Sequence, residues 1–246
     1  MLKLYRFFFP LFLLTARAGA KAMPGVAEAL KAREGVMGRW RAASMGANRL
    51  WFHVASVGEL EQIRPVLERL RREGYFLVLS YFSPSVPRLV KDWSFVGFAD
   101  YLPLDRAEDM EELMRIVAPR ALILNRYDLW PHHLMAARDW KVPVVVINAS
   151  TPPLTALGKL GLYFRGAMFR LVNAWTFVDS VAATAWEPYI ERTAKGLVAG
   201  NPRVDRALQR VENALAEKKA AERIGRWRRE GLCLVAGSTW EKDEEV

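Results

Sequence analysis

The chain has 246 residues, of which 52% are apolar and 26% are charged. This composition excludes a disordered or fibrous protein, and the length allows one large domain or two small ones. The formal net charge of +9 favours anionic partners such as nucleic acid, phosphorylated sugars or an anionic membrane surface. The basic residues are dispersed, however, and form no arm typical of nucleic-acid binding. A solvated basic surface is the simpler interpretation.

The single cysteine, Cys233, excludes an intrachain disulfide. Its apolar surroundings, Leu232-Cys-Leu-Val-Ala236, predict a buried structural thiol rather than a nucleophile. The absence of a disulfide framework favours the cytoplasm over an oxidising compartment.

Residues 1–22 combine early positive charge with a short apolar stretch, Phe7-Phe-Phe-Pro-Leu-Phe-Leu-Leu14. The stretch is shorter than the about 20 apolar residues that a transmembrane helix needs. A signal peptide is one interpretation, since Ala18-Gly-Ala20 resembles a cleavage site. We prefer an interfacial membrane anchor, in which Lys3, Arg6, Arg17 and Lys21 meet lipid headgroups.

From residue 50 onward, apolar runs alternate with helix-like segments. The runs are apolar along their whole length, which is typical of parallel strands covered on both faces. The predicted strands are Leu50–Ala55, Phe76–Tyr81, Ala121–Asn125, Val142–Ile147, Ala174–Val178 and Gly196–Ala199, with a possible short strand at Phe95–Phe98. The predicted helices are Pro24–Lys31, Glu59–Glu73, Val86–Asp92, Ala107–Val117, Leu129–Asp139, Ala156–Leu171 and Val181–Thr193. This alternation predicts an α/β fold with a doubly wound, Rossmann-like parallel sheet.

The two ends of this region have a different character. Residues Gly35 to Asn48 are predicted to form a linker, and Asp205 to Arg229 a long charged helix. A new apolar strand, Leu232–Ala236, then leads into Gly237-Ser-Thr239, as in the first strand and turn of a second Rossmann-like domain. We therefore divide the chain into an anchor (1–22), a Rossmann-like domain (23–205) and a linker helix with a truncated second domain (206–246). The second domain is expected to continue in a longer chain or in a separate polypeptide.

The first candidate site is Ser56-Val-Gly-Glu59, a strand-to-helix turn. It places a carboxylate at the carboxyl end of a strand, where open α/β sheets bind ligands. Gly58 lets a ligand approach the backbone closely, and the helix N-terminus is expected to favour an ionised Glu59. Glu59 is our candidate general base; the simpler alternative is an ordinary first-turn glutamate.

The second candidate site is Asn125-Arg-Tyr-Asp-Leu-Trp-Pro131, which follows another predicted strand. It brings Asp128 to the same edge of the sheet as Glu59, a suitable arrangement for acid–base chemistry. The alternative is that Asp128 is the N-cap of the helix beginning near Pro131.

Several turns at the same edge are weaker candidates. Phe82-Ser-Pro-Ser85 offers hydroxyls to a phosphate or a sugar, or forms a plain serine turn. Gly200-Asn-Pro-Arg203 and Gly237-Ser-Thr239 suit close contact with a nucleotide phosphate. His53, His132 and His133 show no metal-ligand spacing, and His53 is expected to be a core histidine with its hydrogen bonds satisfied.

Together these motifs resemble the bacterial 3-deoxy-D-manno-octulosonic acid (Kdo) transferases. Phe52-His-Val-Ala-Ser-Val-Gly-Glu59 is similar to the His-Ala-x-Ser-Val-Gly-Glu signature of that family. The other matching motifs follow in the same order: Phe82-Ser-Pro-Ser85, Tyr101-Leu-Pro-Leu-Asp105, Tyr127-Asp-Leu-Trp-Pro131, Gly200-Asn201 and Gly237-Ser-Thr239. The resemblance covers nearly the whole chain and the first half of a family member.

The resemblance implies the amino-terminal domain of a GT-B type, inverting glycosyltransferase that moves Kdo from CMP-Kdo to the lipid A precursor. It implies no metal and no cofactor, no nucleic-acid partner, and a location at the cytoplasmic face of the bacterial inner membrane. A separate donor-domain polypeptide is a further expected partner. The alternatives are a non-catalytic half-protein that binds lipid A-like anionic glycolipids, and another nucleotide-sugar enzyme of the same architecture.

The resemblance also implies roles for individual residues. Glu59 matches the catalytic base, and Asp128 a second acidic residue where the family usually has Glu. The expected acceptor-binding residues are Ser56, Gly58, Ser83, Ser85, Arg64, Arg126 and Trp130. The expected donor-binding residues are Gly200, Asn201, Arg203, Gly237, Ser238 and Thr239.

Overall fold

The computed structural model describes residues 24–126, 128–152 and 165–216, together with residues 5, 9, 155, 162, 222, 225 and 239. The chain divides into two compact units, Met1–Arg203 and Val204–Val246. The predicted anchor lies outside the described residues except for Tyr5 and Phe9, and so does the predicted strand Leu232–Ala236. No helix in the described part of the chain is both long and apolar enough to cross a membrane.

The described strands of the first unit form one parallel sheet. The strands are β1 Arg49–Val54, β2 Phe76–Tyr81, β3 Phe98–Tyr101, β4 Ala121–Asn125, β5 Val144–Ala149, β6 Ala174–Phe177 and β7 Lys195–Val198, in the spatial order β3-β2-β1-β4-β5-β6-β7. All six neighbouring pairs are parallel. This order is that of a doubly wound Rossmann-like sheet, and the predicted fold class is confirmed.

Helices cover both faces of the sheet. The helices of the first unit are α1 Pro24–Lys31, α2 Val36–Ala42, α3 Val57–Arg72, α4 Pro87–Val90, α5 Ala107–Val117, α6 Pro131–Asp139 and α7 Ser180–Trp186, and residues 165–169 are also helical. The last described helix, α8 Pro202–Ala216, belongs mostly to the second unit. Successive strand residues enter opposite cores: Trp51 packs with α5 and α6, whereas Phe52 packs with α3. Two apolar layers, one on each face, therefore hold the sheet.

The segment predicted as a linker, Gly35 to Asn48, instead contains helix α2. Val36 and Trp40, four residues apart, lie on one buried face of this helix. The Trp40 indole donates a hydrogen bond of 3.0 Å to the carbonyl of Tyr101. The prediction of a linker was wrong because the buried face of α2 consists of only two residues, Val36 and Trp40, which are too few to give a recognisable helical pattern.

Most other boundaries agree with the sequence to within a few residues. Strand β3 lies at Phe98–Tyr101 rather than at Phe95–Phe98, because Trp93 and Phe95 stack on each other before the strand begins. Of the helix predicted at Val86–Asp92, only Pro87–Val90, helix α4, is helical in the structure. The predicted strand Val142–Ile147 begins at Val144, and the predicted helix Val181–Thr193 ends at Trp186. The charged helix predicted from Asp205 begins at Pro202 and is described as far as Ala216. Half of the predicted helix Ala156–Leu171 lies outside the described residues.

Candidate active site

The strand order reverses between β1 and β4. From β1 the chain passes to β2 on one side of the sheet, whereas β4 and the strands that follow it lie on the other side. In open parallel sheets, such a switch point leaves a crevice outside the carboxyl ends of the strands, and ligands bind there. Glu59 follows β1 and Asp128 follows β4, so both carboxylates lie at this crevice.

Glu59 lies in the first turn of α3. Ser56 is the N-cap residue, and its hydroxyl accepts a hydrogen bond from the Glu59 amide. The Glu59 side chain folds back toward the strand, and Oε2 accepts a 2.7 Å hydrogen bond from the Ala55 amide. The reciprocal bonds resemble a capping box, so the sequence Ser-x-x-Glu begins the helix and also places the carboxylate at the strand end.

Burial raises the pKa of the Glu59 carboxyl, and the nearby Asp128 carboxylate raises it further. The Ala55 amide, His53 and Arg126 act in the opposite direction without cancelling this effect. The Ala55 amide next to the helix N-terminus favours the ionised form, but burial has the larger effect, so the pKa of Glu59 is raised rather than lowered. A carboxylate with a raised pKa is a stronger base.

Asp128 is not the N-cap of α6. Trp130 occupies the cap position and makes no side-chain cap bond. The carboxylate that caps this helix comes from the β3–α5 loop: Asp105 accepts 2.9 Å hydrogen bonds from the amides of both His132 and His133. The hydroxyl of Tyr5 donates to the same carboxylate at 3.0 Å. The capping interpretation of Asp128 was wrong because a residue distant in the sequence supplies the cap.

Asp128 instead pairs with His53. Its Oδ2 lies 3.0 Å from Nε2 of His53, whose side chain is fully buried. Nδ1 of the same ring lies 2.9 Å from the Ser80 hydroxyl, which also accepts a 2.9 Å hydrogen bond from the Trp51 indole. His53 is the satisfied core histidine that we expected, and one of its two partners is a candidate site residue.

The electrostatic surroundings of Asp128 differ from those of Glu59. Burial acts to raise the pKa of Asp128, but the hydrogen bond and charge of His53, helped by the Trp130 side chain and Arg165, hold it below its usual value. The crevice thus contains one carboxyl whose pKa is raised and one whose pKa is lowered. Such a divided pair is typical of acid–base sites.

Arg126 and two asparagines extend the strand-end site toward β6. Arg126 has a left-handed backbone (φ 59°), and its Nη2 donates to the Ser150 hydroxyl at 3.4 Å. The Asn125 amide donates to the Glu59 carbonyl at 3.5 Å, and Asn148 donates to Asn125 at 2.7 Å. These amide side chains link the ends of β4 and β5 to the first turn of α3.

Trp130 forms an aromatic wall beside Asp128. Its ring stacks on that of Phe82, with centroids 5.8 Å apart and planes inclined by 12°. Beneath Phe82, the Arg33 guanidinium lies 4.3 Å from the ring centroid and donates to the carbonyls of Phe82 and Leu102. The wall is thus anchored from inside the domain by a buried arginine.

Gly58 is exposed at the mouth of the crevice. A Cβ atom built at this position meets only the Ser56 hydroxyl, at 3.9 Å, which is ordinary contact. Its backbone is also not among those with positive φ. The fold therefore does not require glycine at position 58.

The remaining predicted acceptor-binding residues make contacts with groups other than the two carboxylates. The Ser83 hydroxyl accepts from the Ser85 amide at 3.3 Å, which is the plain serine turn of the alternative interpretation. Arg64 pairs with Glu68 at 2.8 Å and lies over the rings of Trp93 and Phe95, so its charge is engaged away from the two carboxylates.

Among the predicted donor-binding residues, the Gly200-Asn201 turn is well described. Gly200 has a left-handed backbone (φ 85°). The side-chain oxygen Oδ1 of Asn201 accepts hydrogen bonds from the Arg203 backbone amide at 3.1 Å and from the Gln62 side chain at 3.2 Å. This turn is thereby tied to α3, the helix that carries Glu59. Gly237 and Ser238 lie outside the described residues, and Thr239 is exposed.

Four residues of the site were not selected as functional from the sequence: His53, Arg33, Asn125 and Asn148. The position of His53 inside the Phe52–Glu59 motif was the available signal, because a polar ring in an otherwise apolar buried strand needs specific partners. Arg33 carried no signal, since its neighbours along the chain are those of an ordinary exposed helix end.

The fold is similar to that of solved nucleotide-sugar enzymes. A UDP-GlcNAc 2-epimerase from Neisseria meningitidis bound to UDP-GlcNAc matches 72% of this chain and 53% of its own, with a TM-score of 0.53 and 11% identity. At this identity the likeness concerns the fold alone.

Sequence comparison is more specific. A 3-deoxy-D-manno-octulosonic acid transferase of Aquifex aeolicus is 35% identical over 101 residues, which is 41% of this chain and 28% of that protein. The Haemophilus influenzae transferase is 23% identical over 204 residues, covering 80% of this chain and 46% of its own. The chain thus spans less than half the length of these relatives. The profile of the family described as 3-deoxy-D-manno-octulosonic-acid transferase (kdotransferase) matches residues 10–206, and the chain belongs to this family.

Proposed function

We propose that this chain supplies the acceptor-binding part of an inverting glycosyltransferase, which transfers Kdo from CMP-Kdo to the lipid A precursor. Glu59 is the general base and Asp128 the second acidic residue. The observation that carries this proposal is the position of Glu59: a half-buried carboxylate of raised pKa at the switch point of the sheet, beside a second carboxylate. Family membership supplies the Kdo chemistry.

In the proposed reaction, the Glu59 carboxylate takes the proton from a hydroxyl group of the acceptor sugar. The hydroxyl oxygen then forms a bond to the anomeric carbon of Kdo. The bond between that carbon and the phosphate oxygen of CMP breaks, and CMP leaves with the electron pair. One direct displacement inverts the anomeric configuration and needs no covalent enzyme intermediate.

The acceptor is a phosphorylated amphiphile, which suits a chain of net charge +9. The aromatic wall of Phe82 and Trp130 and the exposed backbone at Ser56 and Gly58 border the proposed acceptor position. Arg126 offers positive charge there. We place the reaction at the cytoplasmic face of the inner membrane, where the amino-terminal segment acts as an interfacial anchor. In this proposal the Gly200-Asn201-Pro-Arg203 turn faces the donor nucleotide.

The test is transfer of labelled Kdo from CMP-Kdo to lipid A precursor by the purified protein reconstituted with the donor-binding part of the enzyme. Glu59→Gln keeps an oxygen that can accept the Ala55 amide bond but cannot take a proton. We expect it to lower kcat by about 10²- to 10⁴-fold with an unchanged circular dichroism spectrum. Retained turnover would remove Glu59 from the base role. Binding of the lipid A precursor without any transfer by the wild-type protein would instead indicate a glycolipid-binding module.

A further inference from the structure

His53 connects the buried sheet to the crevice. It is 1% exposed, and its imidazole lies between the Ser80 hydroxyl on β2 and the Asp128 carboxylate after β4. The parallel register pairs His53 with Ser80 on one side and with Leu124 on the other. Three adjacent strands therefore fix the ring.

We propose that His53 is a positioning residue that fixes the Asp128 carboxylate in one orientation beside Glu59. The proposal deepens the transferase assignment and rests on it. Asp128 lies two residues after Arg126, whose backbone is left-handed, and it is not the N-cap of α6. The 3.0 Å bond from the imidazole is the contact that holds this carboxylate to the rigid sheet.

The direction of the hydrogen bond follows from the partners of the ring. If the Ser80 hydroxyl donates to Nδ1, the neutral ring carries its proton on Nε2 and donates it to Asp128. The Ser80 hydroxyl has two acceptors within reach, Nδ1 of His53 at 2.9 Å and the Phe52 carbonyl at 3.4 Å, and the ring nitrogen is the nearer. The Asp128 carboxylate can only accept, so the 3.0 Å contact itself requires the proton on Nε2. The buried chain Trp51–Ser80–His53 thus orients a donor toward Asp128.

Asp128 held in this way acts on Glu59 through its charge. The groups that act on this pair of carboxylates are His53 on β1, Arg126 after β4, His133 on α6, the Trp130 side chain and Arg165. Burial lowers the pKa of His133 well below its usual value, so this ring is neutral. A fixed negative charge at Asp128 keeps Glu59 the stronger base, whereas a mobile Asp128 would not.

The test combines a substrate-free titration with kinetics. The pKa of Asp128 is measured by carbon-13 carboxyl NMR in the wild-type protein, His53→Phe and His53→Gln. We expect His53→Phe to raise the pKa of Asp128, since the donor is lost while burial remains. We expect kcat for Kdo transfer to fall about 10- to 100-fold, with a smaller change in KM. His53→Gln, whose amide can reach the position of Nε2, should restore part of both.

Met110→Ala is the matched control for loss of packing. Met110 is fully buried on α5, in the apolar layer that also contains Trp51 and is faced by His53. It should lower the melting temperature while leaving the pKa of Asp128 unchanged. The proposal is overturned if the pKa of Asp128 is the same in His53→Phe as in the wild type, or if Met110→Ala reproduces the kinetic effects. If the wild-type protein transfers no Kdo but the pKa of Asp128 changes in the His53 variants as expected, the transferase assignment is contradicted. The proposal that His53 positions Asp128 is then still supported.

Discussion

The Ala55 amide donates a 2.7 Å hydrogen bond to Oε2 of Glu59, which ties the carboxylate to the end of the strand that precedes it. This bond favours the ionised form, yet burial and the Asp128 charge together keep the pKa of Glu59 above its ordinary value. The carboxylate is therefore fixed in direction and also made more basic. Both properties serve proton removal from an acceptor hydroxyl.

The pH dependence of Kdo transfer should show the net effect of these influences on the pKa of Glu59. Glu59 must be ionised to act as a base, so kcat/KM falls as the pH is lowered through its raised pKa. Asp128→Asn removes the neighbouring negative charge and lowers the pKa of Glu59. We expect the acid limb of the kcat/KM profile to move to lower pH in this variant, whatever the maximal rate. A shift to higher pH would show that Asp128 does not act on Glu59 by charge repulsion.

Gly58→Ala should separate the needs of the fold from those of the ligand. The added methyl group meets only the Ser56 hydroxyl at 3.9 Å, and alanine is the better helix former. We expect the free energy of unfolding to rise by about 0.5–1 kcal/mol in urea titrations. If the acceptor approaches this backbone, KM for the lipid A precursor rises at the same time. A less stable variant would contradict the geometry of this turn, and an unchanged KM would place the acceptor elsewhere.

The fold class was predictable because each strand is a continuous apolar run followed by a helix. A parallel sheet with helices on both faces is the arrangement that buries both sides of such strands. The first turn of α3 was also predictable, since Ser56 and Glu59 have the spacing of a capping pair. These are local properties, set by residues three or four positions apart.

The parts that could not be predicted depend on contacts across the fold. His53 meets Ser80 only because β1 and β2 pair in one particular register. The alternative that Asp128 caps α6 rested on nearness in sequence, whereas Asp105, which accepts from the first amides of this helix, lies 27 residues from His132. Helix α2 was missed because its burial depends on Trp40 reaching Tyr101. The pattern of neighbouring residues in the sequence does not predict such long-range contacts.

Asp105 should contribute more to stability than an ordinary helix cap. Its carboxylate accepts from two buried amides, those of His132 and His133, and from the Tyr5 hydroxyl. Asp105→Ala leaves these donors without an acceptor and should lower the free energy of unfolding by about 2–3 kcal/mol. Asp179→Ala is the control, because Asp179 is an exposed N-cap that accepts from one amide, of Ala182. Its loss should cost about 1 kcal/mol, and equal effects in the two variants would contradict the special role of Asp105.

Arg33 should not tolerate replacement by lysine. Its guanidinium donates to the carbonyls of Leu102, Ala29 and Phe82 from three nitrogen atoms and lies against the Phe82 ring. An ammonium group cannot reach all three acceptors, so buried carbonyls are left unpaired. We expect Arg33→Lys to lower the free energy of unfolding by about 1–3 kcal/mol.

The control for this substitution is Arg41→Lys. Arg41 is an exposed arginine that pairs with Glu112 at 2.8 Å, and its replacement should leave the free energy of unfolding nearly unchanged. Because Phe82 stacks on Trp130, loss of the Arg33 contacts should also make the aromatic wall more mobile. A second readout is therefore the fluorescence of Trp130, identified by comparison with variants in which single tryptophans are replaced. Equal stability losses in the two arginine variants would show that the guanidinium of Arg33 contributes only charge. A larger loss for Arg33→Lys, accompanied by a higher KM for the acceptor, would connect the buried arginine to the binding surface through Phe82.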